Sequence, residues 1–452
     1  MKVWAPRILA LFLAAGCTGQ SSSGESTPKT KTEATPPDVA PKPVIKPPEV
    51  VAEHSVPRAW QGRWRFELDS PGGKLPFFVE LEAKRGALVD AHERLPFSSV
   101  TAWAQSLRLE IDNYDSTLEL RPDEARPGAL SGTWRRRSPG KDSYTEMSMS
   151  AVKSAEGLRF SDTEAPLQPL DGRWRLTFAE SDGSNYTGVA TLRTVKTLSQ
   201  STIEGTITTD TGDYRFLEGV VAGDQLMLSV FDGAHAFLFR ATVEDGALRD
   251  GHFWSRDTYH ATFLGDPVEG EGAAGLADPY EIVSMTADDR RFRFDFPMLG
   301  GGRLNNDDDR FAGKVVVAEI FGTWCPNCND QAPLMSQWYA KYREQGLEMV
   351  GIAYEFTGDE ADDMEMLRRY AKRYDVKYPL VLGGTSGKKG ASESLPDLSK
   401  VAAYPTTLFI GRDGTVRKIY SGFSGPATGA AYDELKRDHE ALMEQLLAEA
   451  AP

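Results

Sequence analysis

The stretch Val315-Val316-Val317-Ala318-Glu319-Ile320-Phe321-Gly322-Thr323-Trp324-Cys325-Pro326-Asn327-Cys328 decides how the C-terminal part of this chain folds. Its apolar opening is the short run expected of a strand buried in a parallel sheet. Beyond Cys328 the period changes, and Leu334, Trp338 and Tyr342 recur at the spacing of one helical face. A strand therefore delivers Cys-x-x-Cys to the start of a helix. Free backbone N–H groups and a partial positive charge there favour a thiolate on the first cysteine. Pro326 fits the first helical turn, where its missing N–H costs little. Cysteines at this spacing can close a small disulfide ring, so electrons can move as a pair. The other use of such a pair, half of a structural zinc site, needs four ligands, and the chain has neither a second Cys-x-x-Cys nor a His pair to complete it.

Glu319 stands in the middle of the apolar run. If it is buried, its pKa is raised and it can accept a proton from Cys328 when that thiol must attack. The alternative is an accessible strand position. The flanking run leaves little solvent face, which favours burial.

Taken together, residues from about Ala277 to Pro452 resemble the thioredoxin superfamily, specifically the membrane-tethered thiol-disulfide oxidoreductases of the TlpA/ResA-like family. The resemblance rests on Gly313-Lys314, on the turn Trp324-Cys325-Pro326-Asn327-Cys328, on the apolar strand Leu347-Glu348-Met349-Val350-Gly351-Ile352, and on Tyr404-Pro405-Thr406-Thr407-Leu408-Phe409-Ile410. It implies a redox-active Cys325–Cys328 disulfide and a cis Pro405 facing the cysteines as the platform for an extended substrate segment. It places Trp324 in the catalytic turn and Glu319 where thioredoxin keeps a buried Asp. Glu355 falls about one register from an active-site glutamate of some relatives and is a possible further site residue. No diffusible cofactor and no metal are implied. A peroxiredoxin-like antioxidant would need Pro-x-x-x-Thr-x-x-Cys, and Ala318 and Gly322 occupy those places before Cys325.

Upstream, Gly62-Arg63-Trp64-Arg65 recurs as Gly172-Arg173-Trp174-Arg175. Each copy opens a segment of alternating apolar and polar residues, such as Leu107-Arg108-Leu109-Glu110-Ile111 and Phe237-Leu238-Phe239-Arg240-Ala241, punctuated by turns such as Asp182-Gly183 and Asp245-Gly246. That pattern predicts two consecutive antiparallel β-domains, sandwich or small barrel, at 58–165 and 166–265. Trp64 and Trp174 are core anchors or, alternatively, the wall of a ligand-binding barrel. His92, His235, His252 and His260 lack ligand spacing. Residues 266–279 form a linker and 280–452 the thioredoxin-like domain, whose last helix carries His439 on its apolar face.

Residues 1–16 carry Lys2 and Arg7 ahead of the apolar run Ile8 to Ala15, a secretory signal. Leu13-Ala14-Ala15-Gly16-Cys17 resembles a bacterial lipobox, with the leucine one place further back than usual. The resemblance implies lipidation of Cys17, an ordinary cleaved signal being the alternative. Multiple acyl chains anchor stably where one does not, and Thr18, not Asp, comes after the cysteine, which the family rule reads as passage to the outer membrane. Residues 17–57 hold eight prolines and no Phe, Trp or Tyr, so they form a disordered or extended tether.

At 452 residues, 40% hydrophobic and 26% charged, the chain suits a soluble protein of several domains, and its net charge of -15 argues against nucleic acid as a partner. The expectation is thus a multidomain lipoprotein of the cell envelope, facing the periplasm, with two β-domains and an α/β thioredoxin-like domain. It would exchange dithiols and disulfides with protein substrates and with a membrane electron donor or acceptor. An envelope binding or adaptor protein, using the thioredoxin-like domain as a docking module, is the alternative.

Overall fold

Alternating burial begins at Gly62 and builds two β-structures before the first long helix appears. The computed structural model describes residues 55–103, 105–138, 143–154, 159–160, 165–196, 201–270 and 274–450. The expected signal, Cys17 and nearly all of the tether lie outside the described residues.

The first sheet is a nine-stranded antiparallel meander. Glu93–Pro96 forms one edge and Ser99–Trp103 the other, with Gly62–Ser70 and Tyr144–Lys153 paired near the middle. Trp64, Phe66 and Leu68 point from one strand into its core, in period with the sheet. Its two edges are not paired with each other, so this sheet is neither a closed barrel nor a sandwich on its own. The missing layer comes from the second β-structure: Val220, Ala222, Phe231, Ala236 and Leu238 belong to the first sheet's core. Phe231 sits 4.2 Å from the Phe77 ring and edge-on to Trp134 at 5.1 Å.

The second β-structure closes. Of the ten strands in its sheet, two (Leu167–Gln168 and Gly212–Asp213) are two-residue additions, leaving a ring of 10 − 2 = 8 strands. Gly172–Glu180 pairs with Tyr259–Pro267, and Ser201–Thr209 with Leu217–Ala222, which completes the ring. The last strand therefore runs through Pro267, into the expected linker, because Pro267 still faces Trp174 in the ladder. Inside, Phe237 and Phe239 meet Phe253, while Ala236 and Leu238 on the same strand face the first sheet. Trp64 and Trp174 are core residues, their indole N–H groups donating to the carbonyls of Trp60 and Gly246, each at 2.7 Å.

Two buried arginines stitch these layers. Arg159, fully buried, donates to Asp90 at 2.7 Å and to Glu218 of the barrel at 2.9 Å. One guanidinium does not hold both acids alike. Burial pushes Asp90 up to about 7 despite Arg159, whereas at Glu218 the charge and hydrogen bond of Arg159 outweigh burial and the value is lowered. Arg215 reaches Glu93 of the first sheet, Asp232 of the barrel and Asp330 of the C-terminal domain.

The C-terminal domain has a five-stranded sheet in the order Leu380–Thr385, Leu347–Glu355, Val315–Phe321, Thr406–Ile410, Val416–Ser421. The first three run parallel and the last two antiparallel to their neighbours. Helices α1 (Pro326–Tyr342), α2 (Glu360–Arg373), α3 (Lys388–Ser394) and α4 (Ala430–Ala448) complete it. Val315–Phe321 is central and buried at every position, as its apolar run requires. α2 starts where Asp359 accepts the N–H groups of Ala361 and Asp362, and ends with Lys372 and Arg373.

Arg159→Met leaves Asp90 and Glu218 buried without their cation. The expected loss is about 3–5 kcal/mol, read as a fall in Tm by calorimetry. Replacing all three residues by apolar ones should recover most of it; a single variant as stable as the parent would show that this triad is hydrated rather than buried.

Candidate redox site

The central strand ends just before Gly322, and from there the chain must turn sharply to present a helix start. Gly322 is required there by proximity, since a Cβ on it would lie 2.3 Å from the Trp324 indole nitrogen. The indole N–H donates to the Tyr354 carbonyl at 2.8 Å, and its ring meets Tyr404 edge-on at 5.5 Å. The turn is held from beneath by Glu355. Its carboxylate accepts the Thr323 N–H at 2.8 Å and the Thr323 hydroxyl at 2.7 Å.

Cys325 occupies the N-cap of α1, Pro326 its first turn, and Cys328 lies within the helix. Both are free thiols. Cys325 is 7% exposed and Cys328 fully buried, so the first is the reachable sulfur of the pair. The Cys325 thiol donates to the Tyr404 carbonyl at 3.4 Å, and the next peptide bond, Tyr404–Pro405, is cis.

Behind the dithiol stands Glu319, fully buried in the central strand, with neither carboxylate oxygen hydrogen-bonded. Burial pushes its pKa up to about 8. Burial also raises Cys328 well above the ordinary thiol range, and the neighbouring Cys325 and Glu319 raise it further. A thiol that resists ionisation and an acid that resists ionisation thus lie within electrostatic reach of each other. Once one of the two has lost its proton, the remaining proton can pass between them, and the core then carries a single negative charge on either side of the transfer. Glu355 is likewise pushed up to about 8, chiefly by burial, against the opposing hydrogen bonds from Thr323.

Of the residues singled out in the sequence, Cys325, Cys328, Trp324, Pro405, Glu319 and Glu355 thus converge on one end of the sheet. His439 does not. It is buried against Trp338, Phe409 and Tyr420, and burial pulls its pKa down to about 3. No group of three or more His, Cys, Asp or Glu among the described residues could hold a metal ion.

Several contributors were not foreseen. Arg136, buried and projecting from the first sheet, donates to the carbonyls of Trp324 at 3.3 Å and Ala234 at 3.1 Å. Burial, with repulsion from Arg256, pulls it down to about 10, so it stays cationic at neutral pH. Asn113 donates to Asn329, whose amide in turn donates to the Cys325 carbonyl at 2.7 Å. The run Arg135-Arg136-Arg137 was visible in the sequence, but nothing in it indicated that its middle member turns inward to a distant helix.

Residues 293–419 match the AhpC/TSA family. Among curated proteins, the chain is similar to the thiol-disulfide oxidoreductase ResA of Bacillus thuringiensis, 31% identical over 27% of this chain and 63% of the relative. It is also similar to the ResA of Halalkalibacterium halodurans, 30% identical over 24% of this chain and 55% of the relative. The chain therefore spans less than two thirds of the length of these relatives. A crystal structure from Chlorobium tepidum, a putative thiol:disulfide interchange protein DsbE, is 21% identical, covers 35% of this chain and 99% of its own, and superposes with a TM-score of 0.28.

Glu319 also leaves a thermodynamic signature. A carboxyl raised from 4.5 to about 8 on folding holds a proton that the unfolded chain releases, so stability falls as pH climbs between those values. Glu319→Gln should therefore gain on the parent from about pH 5 to about pH 8, by an amount on the order of several kcal/mol, and the gain should level off above. Tm measured for both proteins across pH checks this. A difference that does not change with pH would mean that Glu319 does not fold protonated.

Proposed function

We propose that this chain, whose C-terminal domain is a TlpA/ResA-like member of the thioredoxin superfamily, is a thiol-disulfide oxidoreductase acting on protein substrates in the bacterial cell envelope. The observation that carries the proposal is the pairing of a reachable Cys325 at a helix start with a buried Cys328 backed by the unpartnered Glu319. A packing or docking role has no need of an acid left without hydrogen bonds in the core.

In the reducing direction, the Cys325 thiolate attacks one sulfur of a substrate disulfide, and the other substrate sulfur leaves as a thiolate. Glu319 in its ionised form, reached by loss of its proton to solvent, takes the Cys328 proton, and the Cys328 thiolate so formed attacks the Cys325 sulfur. This breaks the mixed disulfide, releases the second substrate thiolate and leaves a Cys325–Cys328 disulfide. Two electrons have passed to the substrate. The same steps in reverse oxidise a dithiol. In this scheme Pro405 and the Tyr404 carbonyl face the segment bearing the substrate cysteine, Trp324 and Glu355 hold the turn, and a membrane donor or acceptor resets the dithiol.

The N-terminal sequence supports an exported, lipid-anchored protein with Cys17 as the acylated residue, attached to the outer membrane and facing the periplasm.

Cys328→Ser keeps the attacking sulfur and removes the resolving one, so this variant should accumulate covalent mixed disulfides with its clients in the envelope. Cys325→Ser should accumulate few. Non-reducing electrophoresis reads both. Equal trapping by the two variants would reverse the assigned roles, and trapping by neither, with no reduction of insulin by the parent, would remove the oxidoreductase proposal.

A further inference from the structure

The mouth of the barrel holds a cavity of about 480 Å³, walled by the rings of Tyr186, Tyr214, Phe237, Phe253 and Tyr259. Arg256 of the barrel and Lys388 at the start of α3 border it. The acids in its wall are occupied. Glu180 accepts from Ser184 at 2.7 Å and Tyr259 at 2.5 Å, and Asp210 accepts the Ala277 N–H at 2.9 Å. The two cations have no such partner: among the described residues neither Arg256 nor Lys388 forms an ion pair or a side-chain hydrogen bond, and Arg256 has only the charge of its neighbour Asp257 to compensate it.

Lys388 ties the cavity to the surroundings of the reactive sulfur. Lys388 and Arg136 each lie within electrostatic reach of Cys325, and Arg256 within reach of Arg136. Arg136 makes its hydrogen bonds to backbone carbonyls, not to a carboxylate. In a chain of net charge -15, Arg256 and Lys388, bordering one cavity without an ion pair to either, form a site for an anion. The aromatic cavity next to them is of the size and character that takes an apolar side chain.

Access determines the form of the occupant. Cys325 is 7% exposed. The start of α1 is faced by the β-structures, where Asn113 bonds Asn329 and a Cβ on Gly212 would lie 1.9 Å from the Asn327 amide. A broad folded surface cannot reach the sulfur, whereas an extended segment can.

We infer that the barrel mouth is a substrate subsite, taking a client segment that is extended around its cysteine and carries an acidic and an aromatic residue beside it. The acid meets Arg256 and Lys388, and the aromatic ring enters the Tyr and Phe cluster. This rests on the oxidoreductase reading, whose chemistry it makes selective.

The test uses the full chain and two short peptides, one with Asp and Phe flanking the central residue and one with Lys and Ala. With serine at the centre, binding is read by fluorescence anisotropy independently of redox chemistry. The Asp/Phe peptide should bind roughly tenfold or more tightly, with a preference that weakens with salt. Arg256→Gln should reduce the preference, and so should Lys388→Glu, a change at an exposed position outside the core. Equal binding of the two peptides, or an unchanged preference in both variants, overturns the subsite. With cysteine at the centre, as mixed disulfides and with dithiothreitol as electron source, turnover should show the same preference. If binding is selective but no disulfide is turned over, the oxidoreductase reading falls, and with it the role of the cavity as a substrate site.

Discussion

The arrangement of the three parts depends on one guanidinium. Arg215 is 2% exposed and pairs with Glu93 of the first sheet at 2.5 Å, with Asp330 of α1 at 3.0 Å and with Asp232 of the barrel at 3.6 Å. Burial works against its charge, yet the surrounding carboxylates hold it well above its ordinary value. Such a cluster is not a large source of stability, because desolvating the ions costs about as much as their attraction returns, but removing any member strands the others in a dry interior. Its worth lies in position. Asp330 lies two residues beyond Cys328, so the network fixes the start of the redox helix against the barrel. The adjoining Asp213 reinforces this, accepting the Gly425 N–H at 2.6 Å and the Arg215 N–H at 2.8 Å. The β-structures are in consequence part of the wall around the dithiol.

That wall was the least legible feature of the sequence. The central strand, the Cys-Pro-Asn-Cys turn and the Pro405 strand were readable because local chemistry specifies them: an apolar run, a helix start, a proline before a β-branched pair. The repeated Gly-x-Trp strands were readable by their alternation. Alternation says which side chains share a face, but not what that face meets. The open first sheet and the closed barrel therefore looked alike. One signal was present. Leu217–Ala222 is apolar at most positions and buried throughout, and Ala236-Phe237-Leu238-Phe239 is apolar without a break. A barrel strand with a solvent face would alternate, so these runs mark the side covered by the first sheet. Arg136, Arg159 and Arg215 gave no such signal, since a buried arginine and an exposed one are the same letter.

The two carboxyls beside the dithiol show how environment separates residues of one type. Burial pushes both to about 8, yet Glu355 has its oxygens engaged by Thr323 and Glu319 has both oxygens free. Engaged lone pairs fix a turn, and free ones can receive a proton. The causes acting on Cys328 then order the reaction. Its proton is held first by burial and next by the hydrogen bond and charge of Cys325. In the proposed reaction, once Cys325 has attacked a substrate its sulfur is part of a neutral mixed disulfide, and that second contribution is gone. With that contribution removed, Cys328 ionises more readily at the step of the proposed reaction where the resolving thiolate is needed. Burial keeps the Cys328 thiol protonated until Glu319 has ionised and can take that proton, which keeps Cys328 from competing with Cys325 for an incoming disulfide in the proposed reaction.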